Sequence, residues 1–188
     1  MSVFYVYQGA TFNEELEGGF VWSPKLNKKG GGNKGFSTMT QIKKGDFIIH
    51  HCNGEIRAIS LAKTDCYDSN KPSYKAGAGN SWDNDGYRID CDYKLLDNPI
   101  KLAKYKDWLK KHYSKESAFT KNGTGKQQYM CTIIEQHALY LLKEAIKLQS
   151  TDETRKILND ALIDIREDES GEYHPVEKDE IDNLIEVD

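Results

Sequence analysis

The dipeptide Asn53-Gly54 constrains the fold more than any other feature of this sequence. It stands between two apolar runs, 47–52 and 56–63. Both residues tolerate the positive φ angles of a two-residue turn, and this pattern is the strongest short-range signal for a β-hairpin. A third strand is predicted at 87–95, because apolar and charged residues alternate there for nine residues, as in a strand with one buried face.

The other predicted elements place strands before helices. Short strands are expected at 3–7 and 20–22, and the Asp97-Asn98-Pro99 signal is expected to close the sheet region. Apolar residues at helical spacing or an N-cap signal predict helices at 102–112, 128–149 and 151–165. Strands followed by helices favour an α+β domain, with a small bent β-barrel of five to six strands flanked by helices.

Charge is distributed unevenly along the chain. Residues 1–150 contain 22 Lys and Arg against 16 Asp and Glu, whereas residues 151–188 contain 4 against 14. A basic body indicates a polyanionic partner, and the acidic end is interpreted as a solvated tail. The expected organisation is one domain over 1–148, a C-terminal helix over 149–166, and an acidic tail or linker over 167–188.

The four cysteines indicate the compartment. None of Cys52, Cys66, Cys91 and Cys131 forms a Cys-x-x-Cys pair, so neither a zinc site nor a secreted disulfide framework is expected. They are interpreted as buried thiols in a reducing cytoplasm. The sequence shows no signal peptide and no apolar run near the ~18 residues of a membrane span, which predicts a soluble intracellular protein.

Motifs of the common enzyme classes are not found. The sequence has no Gly-x-Ser-x-Gly and no phosphate loop. His50 and His51 are neighbours on a predicted strand, so their side chains point to opposite faces and cannot share a metal. We therefore expect a binding protein without catalytic residues, cofactor or metal.

The segment 25–35 contains four lysines and four glycines in eleven residues. Such a composition predicts a loop outside any core. It has two interpretations that the residues leave open: a solvated loop, or an arm that lies along phosphates and gains affinity by releasing counterions.

Three features together resemble the EVE domain of the PUA-like superfamily, which also contains YTH and ASCH domains. They are the Phe20-Val21-Trp22 step, the hairpin that Lys43-Lys44-Gly45-Asp46 introduces, and Trp82 shortly before an alternating strand. The loop 62–68 is also similar. The run 4–142 resembles N-terminal readers of modification-dependent restriction endonucleases, in which an HNH nuclease follows. No histidine-rich HNH segment follows here, so the chain is interpreted as a reader alone or as one cut before its nuclease.

The resemblance implies a pocket that holds a flipped, modified base (5-methylcytosine, 5-hydroxymethylcytosine or N6-methyladenine) of double-stranded DNA in an aromatic cage. Carried onto this sequence, it assigns the cage to Trp22, Trp82 and Tyr67. The residues assigned to the base edge are Ser23, Ser60, Asp65, and His50 or His51. The residues assigned to phosphates are Lys25, Lys28, Lys29, Lys34, Lys43 and Lys44.

Two alternatives remain open at the level of sequence. One is a reader of modified RNA, because an aromatic cage contacts a base and not its sugar, and only a contact to the 2′-hydroxyl separates the two. The other is a structural or adaptor module that forms a homodimer through the helices of 102–165. A nuclease domain or subunit is the partner that the restriction interpretation implies.

Overall fold

The computed structural model describes residues 2–26, 30–74 and 82–170, with side chains to Ile165. The predicted hairpin is confirmed: β3 (Phe47–Cys52) and β4 (Glu55–Ala62) pair antiparallel. Asn53 and Gly54 form the turn with φ angles of 49° and 76°.

The sheet is built around that hairpin. Its remaining strands are β1 (Val3–Tyr7), β2 (Phe20–Pro24), β5 (Tyr67–Asn70), β6 (Asp85–Lys101) and β7 (Met130–Thr132). The strand order is β2-β6-β4-β3-β1-β7, with β5 paired to β6 outside this path. Among the described strands, β1 and β3 run parallel and the other pairs are antiparallel.

Strand β6 gives the sheet its curl. Its first half pairs with β2 and β5, and its second half pairs with β4. The prediction that the sheet region closes at 97–99 is wrong, because β6 continues to Lys101. Ala58 pairs with Leu95 and Ile56 with Ile100, so the residues between them form a bulge that keeps Pro99 out of the hydrogen-bonded ladder.

Within the residues that the structure describes, five helices accompany the sheet. They are α1 (Phe12–Gly18), α2 (Lys34–Ser37), α3 (Lys106–Lys111), α4 (Glu135–Leu148) and α5 (Asp152–Ser170). Two 3₁₀ turns, Thr38–Gln41 and Leu102–Tyr105, precede β3 and α3.

Two of the predicted helices are shorter than expected. The helix predicted over 102–112 is a 3₁₀ turn followed by the six residues of α3. The helix predicted over 128–149 begins only at Glu135, because Met130–Thr132 pairs with β1 as a strand. Met130 and Cys131 are packed into different cores, which is the period-two alternation of a strand.

Both faces of the sheet are buried. Ile49 and Ile59 pack with α4 and α5 in one core, whereas Ile48, Val21 and Ile89 pack in a second core. All six residues of β3 are therefore buried, and the strand lacks the polar alternation of a sheet that faces water on one side.

The free thiols follow the same pattern. Cys52, Cys91 and Cys131 are buried as predicted, and Cys66 is half-buried. Over the ranges that the structure describes, no helix is long and apolar enough to cross a membrane.

Candidate functional site

A cavity of about 340 Å³ opens where the chain leaves β1 and turns toward α1. Cavities that bind small ligands commonly measure ~300–1,000 Å³, so one planar ring system fits here. Within the described part of the chain, four separate segments line it, contributing Tyr7, Gly9, Ala10, Thr11, Asn33, Phe36, Trp82, Gln127, Gln128 and Tyr129.

Tyr129 links the two edge strands of the sheet behind this cavity. Its hydroxyl accepts a hydrogen bond from the Trp22 backbone N–H of β2 (3.1 Å), although Tyr129 directly precedes β7. The same hydroxyl donates to Oε1 of Glu15 (2.6 Å), which is 1% exposed. The curl of the sheet thus brings its first and last strands together over one buried carboxyl group.

Glu15 is the first member of a buried polar network. Burial raises its pKa to about 7, and the hydrogen bonds from Tyr129, Gln8 and Trp22 act in the opposite direction. Gln8 Nε2 donates to Glu15 Oε2 (2.6 Å), and Gln8 Oε1 accepts from His50 Nδ1 (2.7 Å). Each member is hydrogen-bonded, as a buried polar group must be to avoid a large desolvation cost.

His50 is held inside this network and does not line the cavity. It is fully buried, and its Nε2 accepts from the hydroxyl of Ser60 (2.7 Å), which is fully buried as well. Burial lowers the pKa of His50 to about 3. The neighbouring His51 contacts Tyr5 and Tyr7 instead, so the two histidine side chains lie in different surroundings, as expected for side chains on opposite faces of a strand.

Trp82 supplies the large aromatic surface of the cavity and is half-buried. Trp22 packs behind it, with ring centroids 6.1 Å apart, and is only 1% exposed. The Trp22 Nε1–H donates to the Ser69 carbonyl (3.1 Å), and the edge of Tyr74 meets Trp82 at 5.7 Å. Trp22, which the resemblance assigns to the cage, therefore supports Trp82 and is not itself a cavity wall.

Gly86 is the residue on which the Trp22 ring rests. A Cβ there would lie 2.2 Å from Cζ2 of Trp22 and 2.5 Å from the Ser23 carbonyl oxygen. Since backbone cannot move aside cheaply, we expect Gly86→Ala to destabilise the fold by about 1–3 kcal/mol in chemical denaturation. Gly32→Ala is the control, because a Cβ there meets nothing within 4 Å. Equal stability of the two variants would contradict this packing.

The other residues assigned to the base lie outside the cavity lining. Ser23 is buried on β2. Asp65 accepts from the Lys44 backbone N–H (2.8 Å). The Tyr67 hydroxyl donates to Asp90 Oδ1 (2.8 Å), and its side chain is 40% exposed on β5, the short strand that pairs with the first part of β6.

The lysines assigned to phosphate are scattered. Lys25 is paired with Asp68 (3.0 Å) and Asp85 (3.4 Å). Lys43 and Lys44 are exposed at the turn before β3, and Lys28 and Lys29 lie outside the described residues. Lys34 begins α2 beside Gly35, which packs against Gln128, so this lysine alone of the set adjoins the cavity lining among the residues described.

Several lining residues were not anticipated from the sequence. Tyr7 appears there as the last residue of an ordinary strand, and Tyr129 falls inside the incorrectly predicted helix. Phe36 is positioned by α2, whose N-cap Asn33 accepts from the Gly35 N–H (2.7 Å) and also lines the cavity. A run of polar and aromatic residues at Gln127-Gln128-Tyr129 was the only available signal.

No group of three or more metal-ligating side chains lies close enough to hold a metal ion within the described part of the chain.

Neither protein-family models nor curated proteins give a match. Solved structures, in contrast, include chains with a similar fold. The DUF55 domain of human thymocyte nuclear protein 1 superposes with a TM-score of 0.50 and 11% identity, over 77% of this chain and 98% of that domain.

Two further structures superpose less closely. The YTH domain of the Zygosaccharomyces rouxii MRB1 protein, solved with N6-methyladenosine RNA, gives a TM-score of 0.45 at 7% identity, over 76% of this chain and 86% of that one. The N-terminal domain of Staphylothermus marinus McrB gives 0.45 at 12%, over 79% and 94%. At such identities the likeness concerns the fold, and the predicted α+β, PUA-like fold is confirmed.

Proposed function

We propose that this chain binds nucleic acid and holds one base, extruded from its stack, in the cavity beside Trp82. The observation that carries the proposal is the composition of that cavity. It combines the aromatic rings of Trp82, Tyr7 and Phe36 with hydroxyl and amide side chains on the same walls.

Each part of the lining has a task in this proposal. A base that leaves its stack loses a few kcal/mol, and aromatic side chains restore roughly 1–3 kcal/mol per base. Thr11, Asn33 and Gln128 offer donors and acceptors for the base edge. The Glu15 network beneath Tyr129 keeps that wall in place, because each of its groups is already bonded to protein.

The favoured ligand is a modified base in double-stranded DNA, and 5-methylcytosine, 5-hydroxymethylcytosine and N6-methyladenine are the candidates. A methyl group adds apolar area against the aromatic walls, and one such group is worth about 1–3 kcal/mol of discrimination. In this proposal the chain is the EVE-type reader of a prokaryotic restriction or defence system. It has no enzymatic activity of its own, and cleavage belongs to a nuclease domain or subunit.

The test is fluorescence anisotropy with matched duplexes that carry one modified base or none, at fixed salt. We expect about tenfold tighter binding to one modified duplex, and Trp82→Ala to weaken that binding about 10- to 100-fold through lost stacking. Trp82→Phe is the matched control, because it keeps an aromatic face and should keep most of the preference.

Two outcomes would overturn parts of the proposal. Full affinity in a folded Trp82→Ala variant would show that the base does not bind in this cavity. A preference seen only with modified RNA of the same sequence would replace DNA by RNA, and a loss on replacing ribose by 2′-deoxyribose at that nucleotide would identify the 2′-hydroxyl contact.

A further inference from the structure

The segment 101–126 is strongly basic. It contains eight lysines and two acidic residues. Seven of these lysines are exposed, and Lys126 is half-buried. None of them was assigned a role from the sequence.

The fold brings two parts of this segment together. Phe119 and Gly125 form a bridge, and the Thr120 and Thr124 hydroxyls are 2.7 Å apart, so residues 119–125 make a closed turn. At its tip Gly123 has a φ of 76°, and a Cβ there would lie 2.2 Å from the Lys106 carbonyl oxygen. The turn bearing Lys121 is therefore packed directly on the backbone of α3.

We call Lys106, Lys110 and Lys121 the lysine surface. Lys110 belongs to it because its backbone N lies 3.1 Å from the same Cβ position on Gly123. Among the described residues, none of the three has a carboxylate within 4 Å, whereas Lys25 has two. Lysines without ion pairs lose no protein partner when they contact phosphate.

The turn that carries Lys121 is connected to the cavity by packing and by the chain that follows it. Gly125 packs against the ring of His51, which in turn contacts Tyr7 of the cavity wall at 5.1 Å. Lys126 directly precedes Gln127, another lining residue. The six residue steps from Lys121 to Gln127 cover at most ~20 Å, which corresponds to about six nucleotides at 3.4 Å per step.

We infer that the lysine surface binds the phosphate backbone of the nucleic acid whose base enters the cavity, a few nucleotides from that base. The inference rests on the proposed function for the identity of the partner. It moves the phosphate contacts away from the 25–44 region, where Lys25 is already neutralised by two carboxylates.

The test is the salt dependence of binding to one duplex, for the wild type and for the triple variant Lys106→Gln, Lys110→Gln, Lys121→Gln. Each phosphate contact contributes about 0.9 to the slope of log K against log salt in duplex DNA, so the slope should become shallower by about 2.7. With a single strand the change should be about 2.1. The ratio of affinities for modified and unmodified duplex should stay the same.

The control variant has the same change in charge, made by Lys63→Gln, Lys147→Gln and Lys156→Gln. Lys63 directly follows β4, Lys147 lies on α4 and Lys156 lies on α5. This control should keep the wild-type slope. Thermal unfolding verifies that both variants are folded. The inference would be overturned if the lysine-surface variant had the same slope of log K against log salt as this control. The salt slope and the ratio of affinities for modified and unmodified duplex are independent measurements. Equal wild-type affinity for the two duplexes would contradict the proposed function, whereas the salt slopes alone test the lysine surface.

Discussion

Trp22→Ala is expected to destabilise the folded chain by about 3–5 kcal/mol, the usual cost of removing a large aromatic side chain from a core. The ring is 1% exposed and packs against Gly86, Trp82 and Tyr74. Its Nε1–H also donates to the Ser69 carbonyl (3.1 Å). Chemical denaturation at pH 7.5 measures the loss.

Trp82→Ala is the matched comparison for this result. Trp82 is half-buried and lines the cavity, so its replacement should cost less stability and most of the base affinity. Trp22→Phe should recover much of the stability while leaving base preference close to wild type. If Trp22→Ala unfolds no more easily than Trp82→Ala, the division between supporting and contacting tryptophan is wrong.

Acid should destabilise the protein through His50, and His50→Gln should remove that part of the effect. The pKa of His50 is lowered to about 3 by burial, against about 6.5 in the unfolded chain. Between these values the unfolded state binds one more proton than the native state, so stability is present above pH 6.5 and is lost as pH falls. From pH 6.5 to 4 the contribution is about 3 kcal/mol.

Other groups titrate in the same range and must be separated. Burial lowers the pKa of His51 to about 4, which acts in the same direction as His50. Glu15 acts in the opposite direction, because a carboxyl pKa raised to about 7 makes the native state bind the extra proton between about pH 4.5 and 7. The measurement is therefore the difference between two unfolding series over pH 4–7.5. Parallel series for the wild type and His50→Gln would show that this ring is not the acid-sensitive group.

The hairpin and the main strands follow from local pattern. Asn53-Gly54 supplies its own turn geometry, and the alternation over 87–95 identifies most of the β6 segment that pairs with β2 and β4. These signals depend on near neighbours in the chain, which is why they can be recognised without a structure. The short strand β7 lacks such a signal, because Met130 and Cys131 acquire strand character by pairing with β1, more than a hundred residues earlier.

The candidate site was harder to predict for the same reason. Trp82 was identified as an aromatic residue before an alternating strand, and it does line the cavity. Tyr7, Phe36 and Tyr129 reach the same cavity from β1, α2 and the approach to β7, and no local spacing connects them. Trp22 and His50 have the residue types of a base-binding site, but their burial, which depends on tertiary packing, gives them supporting positions.

The most direct test of a base in the cavity is the indole N–H spectrum of the ¹⁵N-labelled protein, which has three tryptophans. The Trp82 signal is assigned by its absence in Trp82→Phe. On titration with an oligonucleotide that carries one modified base, we predict that this signal shifts most, to an end point reached when anisotropy shows saturation. A Trp82 signal that stays in place while binding saturates would contradict the account.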